Sequence, residues 1–139
     1  MYLLDTNVVS EFRKVRAGKA NPELAAWAER VPSALQFISA VTIHELEHGV
    51  LLKERTDPDQ GALLRTWLDQ SVRAAFLHRV LAVDERVATT AAAFHAPDPA
   101  PFRDALIGAT ALTHGLTMVT RNRGDFDRFR GLEVIDPWS

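Results

Sequence analysis

Apolar residues along this chain fall into two alternating patterns. Short unbroken runs occur at "MYLLD" (1–5), "LQFIS" (35–39), "RVLAV" (79–83) and "LTMVT" (116–120), with a weaker one at "LEVID" (132–136). Each is followed by turn or capping residues, which predicts buried strands. Helical patterns lie between them. Asn21-Pro22 sets an N-cap before a proline at the first helical position and opens "ELAAWAERV"; Asp57-Pro58 does the same for "DQGALLRTWLDQSVRAAF". "DERVATTAAAF" and "FRDALIGATALTHG" are Ala-rich helices, the second closed by Gly115. Strands alternating with helices predict an α/β fold, a parallel sheet covered on both faces. Ligands of such sheets sit beyond the C-terminal strand ends. That rule points to Asp5, to Ser39 through Glu45, and to Thr120 through Asp125.

The 139 residues fit one domain, 1–139, long enough to bury a core without staples. The one proline-rich stretch, "HAPDPAPF" (95–102), is short enough to be a connection within that domain. The absence of cysteine excludes disulfides, Cys-zinc sites and thiol catalysis, and suits a reducing cytoplasm. "MYLLDTN" turns acidic too soon for a signal peptide, and no apolar run is long enough to span a membrane. Net charge is −2, whereas a protein gripping nucleic acid by phosphate neutralisation alone is normally basic. A nucleic-acid substrate therefore requires a local basic rim or a bound metal. No P-loop, G-x-G-x-x-G or G-x-S-x-G pattern supports nucleotide binding or serine hydrolysis.

Four acids fall at element starts along the predicted carboxyl edge. Asp5 ends the first strand, and Glu45 is the fourth residue of a capping-box pattern, Thr42-Ile43-His44-Glu45. Asp104 sits in the first turn of its helix, and Asp125 in the polar turn "TRNRGDF". Each has a structural explanation when taken singly, as a cap or as an anion at a helix dipole. Gathered on one edge they repel, and a cation must neutralise them. Hard oxygen ligands select Mg²⁺ or Mn²⁺, ions that clamp phosphate oxygens and activate water for attack on a phosphodiester.

A second reading competes for Glu45. His44-Glu45-Leu46-Glu47-His48 matches the H-E-x-x-H pattern of zinc hydrolases. Such sites need a third protein ligand, and "GVLLKERTD" offers no His at short spacing; His78, His95 and His114 are distant in sequence. His44 and His48 lie on the flank of the helix, away from the Ile43-Leu46-Val50 stripe. They read as surface or rim side chains. Arg121, Arg123, Arg128 and Arg130 cluster near the fourth acid, where they face phosphates or simply water. Trp27, Trp67 and Trp138 read as core or interface anchors.

The segments "YLLDTNVVSE", "ISAVTIHELEHGV", "DALIGATALTHGLTMVTRNRGDF" and "IDPW" resemble, in order and from end to end, the PIN-domain ribonuclease toxins of the VapC and FitB type. The resemblance implies a single-domain α/β/α sandwich and Mg²⁺/Mn²⁺-dependent endoribonuclease activity on single-stranded RNA. It also implies a homodimer and a partner antitoxin whose segment covers the acidic site, inserting an Arg or Lys; DNA is met only through the antitoxin. The "ELAAWAERV" and "ALLRTWLDQSVRAAF" helices are candidates for those contacts. Carried over by position, Asp5, Glu45 and Asp104 match the metal-binding acids. The chain departs from the pattern in two places. "APDPAPF" replaces the short Gly-containing segment before the third acid, and the fourth acid falls at Asp125 while Asn122 stands directly after "TR". A catalytically silent PIN-like binding module is the remaining alternative.

Overall fold

The computed structural model describes all residues, 1–139. Strand β1 (Tyr2–Leu4) leads into α1 (Thr6–Arg16) and α2 (Pro22–Arg30), then β2 (Gln36–Ser39), α3 (Ala40–Thr56) and α4 (Pro58–Thr66). A π-helical turn (Trp67–Val72) joins α4 to the short α5 (Arg73–Ala75). The chain continues through β3 (Val80–Leu81), α6 (Glu85–Ala93), α7 (Phe102–Thr113), β4 (Thr117–Val119), a 3-10 turn (Arg123–Asp125) and β5 (Val134–Ile135). The five strands form one sheet in the order β3-β2-β1-β4-β5, with every pairing parallel. The expected helix–sheet–helix layering is therefore present.

Alternation along the strands builds two cores, because both faces of a parallel sheet are covered. Leu3 and Met118 point to one face, where they meet Val87, Ala91, Ile107 and Phe126. Leu4, Ile38 and Val119 point to the other, with Val8, Leu24, Trp27, Leu46 and Leu68. Trp27 is thus a core side chain, its ring edge-on to Tyr2 with centroids 5.4 Å apart. Trp67 and Trp138 pack against the same core from its margin.

The helix starts are set by side-chain caps. Asn21 accepts from the Glu23 and Leu24 amides, both at 3.0 Å, and Asp84 from Val87 at 3.0 Å. Gly115 takes φ +66°, the left-handed conformation that ends α7 at little cost to glycine. Three expectations are corrected. Helix α3 begins at Ala40, capped by Ser39, whose Oγ accepts from the Val41 amide at 3.0 Å; Thr42 lies inside the helix, so Glu45 closes no capping box. The helix expected over 59–76 loses its α-geometry at Trp67. Leu68, Val72 and Phe76, spaced by four, stay on its buried side. Finally, β3 and β5 shrink to two residues each, as edge strands paired on one side only.

Helices α3 and α4 cross closely enough that a Cβ on Gly61 would lie 2.5 Å from the Glu54 Cα. Arg65 fastens the crossing with a two-pronged bond to Glu47 at 2.9 and 2.6 Å, and a further one to Glu54. Arg73 reaches the same Glu47 at 2.8 Å. These cations hold the Glu47 carboxyl below the usual carboxylate range, chiefly through the hydrogen bond from Arg65. No helix is long and apolar enough to cross a membrane.

Candidate active site at the carboxyl edge of the sheet

Strand order reverses between β1 and β4, and that switch point is where an open α/β sheet leaves a crevice. Asp5 stands in it, 2% exposed. Its Oδ1 accepts from the Thr6 amide at 2.8 Å, capping α1, and its Oδ2 accepts from the Thr120 hydroxyl at 2.7 Å. Thr120 Oγ1 in turn accepts from the Asn122 amide at 3.0 Å, so the turn after β4 is tied to the acid after β1. One carboxylate thereby serves as helix cap and cross-strand anchor while remaining a site group. Burial pushes the Asp5 carboxyl up; the bonds from Thr120 and Thr6 and the charge of Arg103 oppose that rise, and Glu45 adds to it.

Glu45 comes from the second turn of α3, which the Ser39 cap starts at the end of β2. Its Oε1 accepts from the Thr6 hydroxyl at 2.6 Å, and its Oε2 takes Arg103 Nη1. Thr6 Oγ1 also lies 3.2 Å from Thr42 Oγ1, so α1 and α3 meet through a hydroxyl pair beneath the carboxylate. Asp104, in the first turn of α7, is 4% exposed and accepts from Arg103 Nη2 at 2.9 Å. Burial again raises its carboxyl above the ordinary value; Arg103 works against the rise, while Asp125 and Glu45 reinforce it.

Asp125 is therefore brought within electrostatic reach of Asp104 by the 3-10 turn, and is exposed. Its carboxylate caps nothing: Phe126 closes the turn with a backbone bond to Arg123, and no side-chain bond to Asp125 forms. The exposed Asn122 joins the site through its backbone amide alone. Glu45 and Asp104 thus share one guanidinium, whose charge also reaches Asp5, and the charge of Asp125 reaches Asp104. As they stand, no three of these acids form a ready metal-holding group. The donor set nevertheless suits a hard dication, being all carboxylate oxygen and already organised about a positive charge.

The histidines are placed otherwise. His44 and His48 are exposed on α3, their ring centroids 6.3 Å apart, and no third His, Asp or Glu joins them in a metal-holding group. Within the H-E-x-x-H run, Leu46 is core, Glu47 clamps α4, and only Glu45 faces the other acids.

Two clefts open on either side of Glu45. One, of about 550 Å³, is lined by Arg13, Lys14, Trp67, Arg121 and Trp138, with Arg13 over the Trp67 ring at 5.9 Å and Arg121 over Trp138 at 5.5 Å. The other, of about 690 Å³, is lined by His44, His48, Val83, Phe102, Arg103 and Leu106. Of the four arginines expected at the rim, Arg121 alone lines these clefts. Arg123 pairs with Asp127 at 3.3 Å, and Arg128 donates to the Pro99 carbonyl at 2.9 Å. Sequence reasoning missed Arg103, Thr6, Arg13 and Lys14, whereas Thr120 lies in the strand-end segment that it singled out. Thr6 directly follows Asp5 in the sequence, and that adjacency is the signal that could have found it.

A parallel five-stranded sheet flanked by helices, with acids near its switch point, is a PIN-type fold. The PIN domain family model matches residues 2–132, and the chain belongs to the PIN-domain family, in its VapC/FitB toxin type. It is 34% identical to Toxin FitB of Neisseria gonorrhoeae over 144 residues, 99% of each chain. It is 49% identical to Ribonuclease VapC14 of Mycobacterium tuberculosis over 76 residues, 55% of this chain and 71% of that one. Its fold matches that in the solved structure of FitAB bound to IR36 DNA fragment with a TM-score of 0.85 and 31% identity, covering 100% of this chain and 96% of that one.

Proposed function

We propose that this protein is the toxin of a toxin–antitoxin pair, a cytoplasmic Mg²⁺- or Mn²⁺-dependent endoribonuclease that cleaves single-stranded RNA. One observation carries the reading: at the strand-order switch point Arg103 bonds both Glu45 and Asp104, and its charge also acts on the buried Asp5. Ribonuclease activity is supported further by the names of similar proteins. Asp5, Glu45 and Asp104 would hold the metal, with Asp125 as an outlying contact. A dication bound there supplies Lewis-acid stabilisation of phosphate oxygens and an activated water.

The chain's own residues set the geometry for that chemistry. Thr120 and the start of α1 fix Asp5, while Thr6 fixes Glu45 Oε1 and leaves Oε2 facing the crevice. Arg13 and Arg121 put positive charge along one cleft, where Lys14 is paired with Glu11 at 3.1 Å, a local basic rim on a chain whose net charge is −2. An antitoxin covering the site and a homodimeric toxin complete the proposal. Its support is FitAB, solved on DNA, together with the exposed Leu51, Leu52 and Leu63 on α3 and α4. The apolar residues of α2 are less available for such contacts, since Leu24 and Trp27 are spent in the core.

The deciding comparison uses a labelled single-stranded RNA with Mn²⁺ or with chelator. Cleavage should need the metal, vanish in Asp5→Asn, and persist in His44→Ala/His48→Ala. Loss in the His variant with retention in Asp5→Asn would establish the zinc reading instead. No cleavage by wild type in any metal would leave a binding module.

A further inference from the structure

Arg103 holds the centre of the acidic site without belonging to its acids. Nη1 bonds Glu45 and Nη2 bonds Asp104 at 2.9 Å, and its charge also acts on Asp5. Asp5 and Asp104 are 2% and 4% exposed, so water solvates them poorly, and the Arg103 guanidinium is the positive charge that acts on both. Yet the Arg103 side chain is itself 44% exposed, and it lines the cleft that carries the 72% exposed Phe102. It can leave the acids by side-chain rotation without disturbing α7.

We propose that Arg103 is a resident counter-cation that a divalent ion displaces from Glu45 and Asp104, and that the freed guanidinium then binds a phosphate of the RNA. The inference rests on the metal-dependent ribonuclease reading and extends it to a residue with two successive partners. Two cations competing for the same carboxylate oxygens cannot both be bound at full strength. The fork that matches two carboxylates also matches a phosphate, and the cleft beside it has room for a nucleotide. Neutralisation of the acids by the metal removes the reason for the guanidinium to stay. Arg103 already lines the cleft that Phe102 also lines, so the freed guanidinium has that cleft to turn into.

The two roles carry opposite signs, which a merely structural residue would not produce. Arg103→Gln removes the competitor, so Mn²⁺ should bind about tenfold more tightly by calorimetry, since two charge-assisted bonds need not be broken. The same variant should bind a short fluorescein-labelled single-stranded RNA about tenfold more weakly, read by anisotropy with Ca²⁺ in place of Mn²⁺ to prevent turnover. Its RNA salt slope should fall by about one. Arg103→Lys, which keeps the charge and loses the fork, should lie between on both scales and gives a conservative check on folding. Unchanged or weaker Mn²⁺ binding in Arg103→Gln, with wild type binding normally, overturns the exchange. Tighter Mn²⁺ binding with unchanged RNA affinity overturns the phosphate contact. Absence of Mn²⁺ binding in wild type and both variants overturns the metal reading itself, together with this inference.

Discussion

Replacing Thr6 by valine removes one hydroxyl while preserving shape, and that hydroxyl lies 2.6 Å from Glu45 Oε1 and 3.2 Å from Thr42 Oγ1. Its single proton goes to the carboxylate, which leaves Thr42 to donate to Thr6. Hydrogen bonds to charged groups contribute about 1.5–3 kcal/mol; Glu45 is 21% exposed, so water takes part of the load and the low end applies. Thr42 is 0% exposed and has no other side-chain partner, so Thr6→Val also strands a buried hydroxyl, at roughly 1–3 kcal/mol. Thr6→Val alone should therefore lower stability by about 3 kcal/mol. Thr42→Val should cost less, about 1 kcal/mol, and the double variant clearly less than the sum, because removing both partners leaves nothing unsatisfied. Urea unfolding of the four proteins reads the coupling directly. The kinetic signature differs: Thr6→Val frees Glu45 and should cut kcat about tenfold, equivalent to about 1.4 kcal/mol, whereas Thr42→Val leaves the Glu45 bond in place and stays within about twofold. Additive stabilities, or an unchanged kcat in Thr6→Val, would refute the placement of Thr6 between the two helices.

Three further outcomes follow from the same geometry. Without metal, Asp5→Asn should be more stable than wild type at neutral pH. The folded-state Asp5 carboxyl is raised above 3.8 by burial, so its contribution is full below that pH and is lost as pH rises through the raised value. The advantage of the variant, followed by thermal melts, should grow upward from about pH 4 and level off, and an advantage that shrinks with rising pH would contradict this. Asp125→Asn should weaken Mn²⁺ binding or turnover less than Asp5→Asn does, with stability nearly unchanged because its carboxylate caps nothing; an unaltered affinity and rate would remove Asp125 from the site. Gly61→Ala drives a Cβ into the Glu54 backbone and should cost about 1–3 kcal/mol, and an unchanged melting temperature would mean that α3 and α4 do not cross so closely.

Much of this fold is legible in the sequence because its local signals agree. The apolar runs, Asn21-Pro22, Asp57-Pro58 and Gly115 each mark an element boundary that the structure keeps. The π-helical turn after Thr66 is not legible, because the helical pattern runs on through Trp67 with no Gly or Pro to mark a change. The start of α3 is ambiguous in the sequence because Ser39 and Thr42 are both competent caps, and only the end of β2 decides between them. Acids at strand ends are visible one by one, since topology places strand ends together. Arg103 is not, because nothing local distinguishes it from other surface arginines. Its importance comes from the meeting of α3 and α7, 58 positions apart along the chain between Glu45 and Arg103. The H-E-x-x-H run shows the converse: a pattern complete in sequence that the fold distributes among a surface, a core, a helix clamp and a site.

The central claim is that the acids at the switch point share a hard dication, and anomalous scattering from crystals equilibrated with Mn²⁺ tests it most directly. The account predicts a single strong peak or a close pair among Asp5, Glu45 and Asp104, with carboxylate oxygens at about 2.0–2.6 Å and Arg103 turned away toward Phe102. A peak held by His44 and His48, or saturating Mn²⁺ with no peak at the carboxylates and Arg103 still bonded to Glu45 and Asp104, would contradict it.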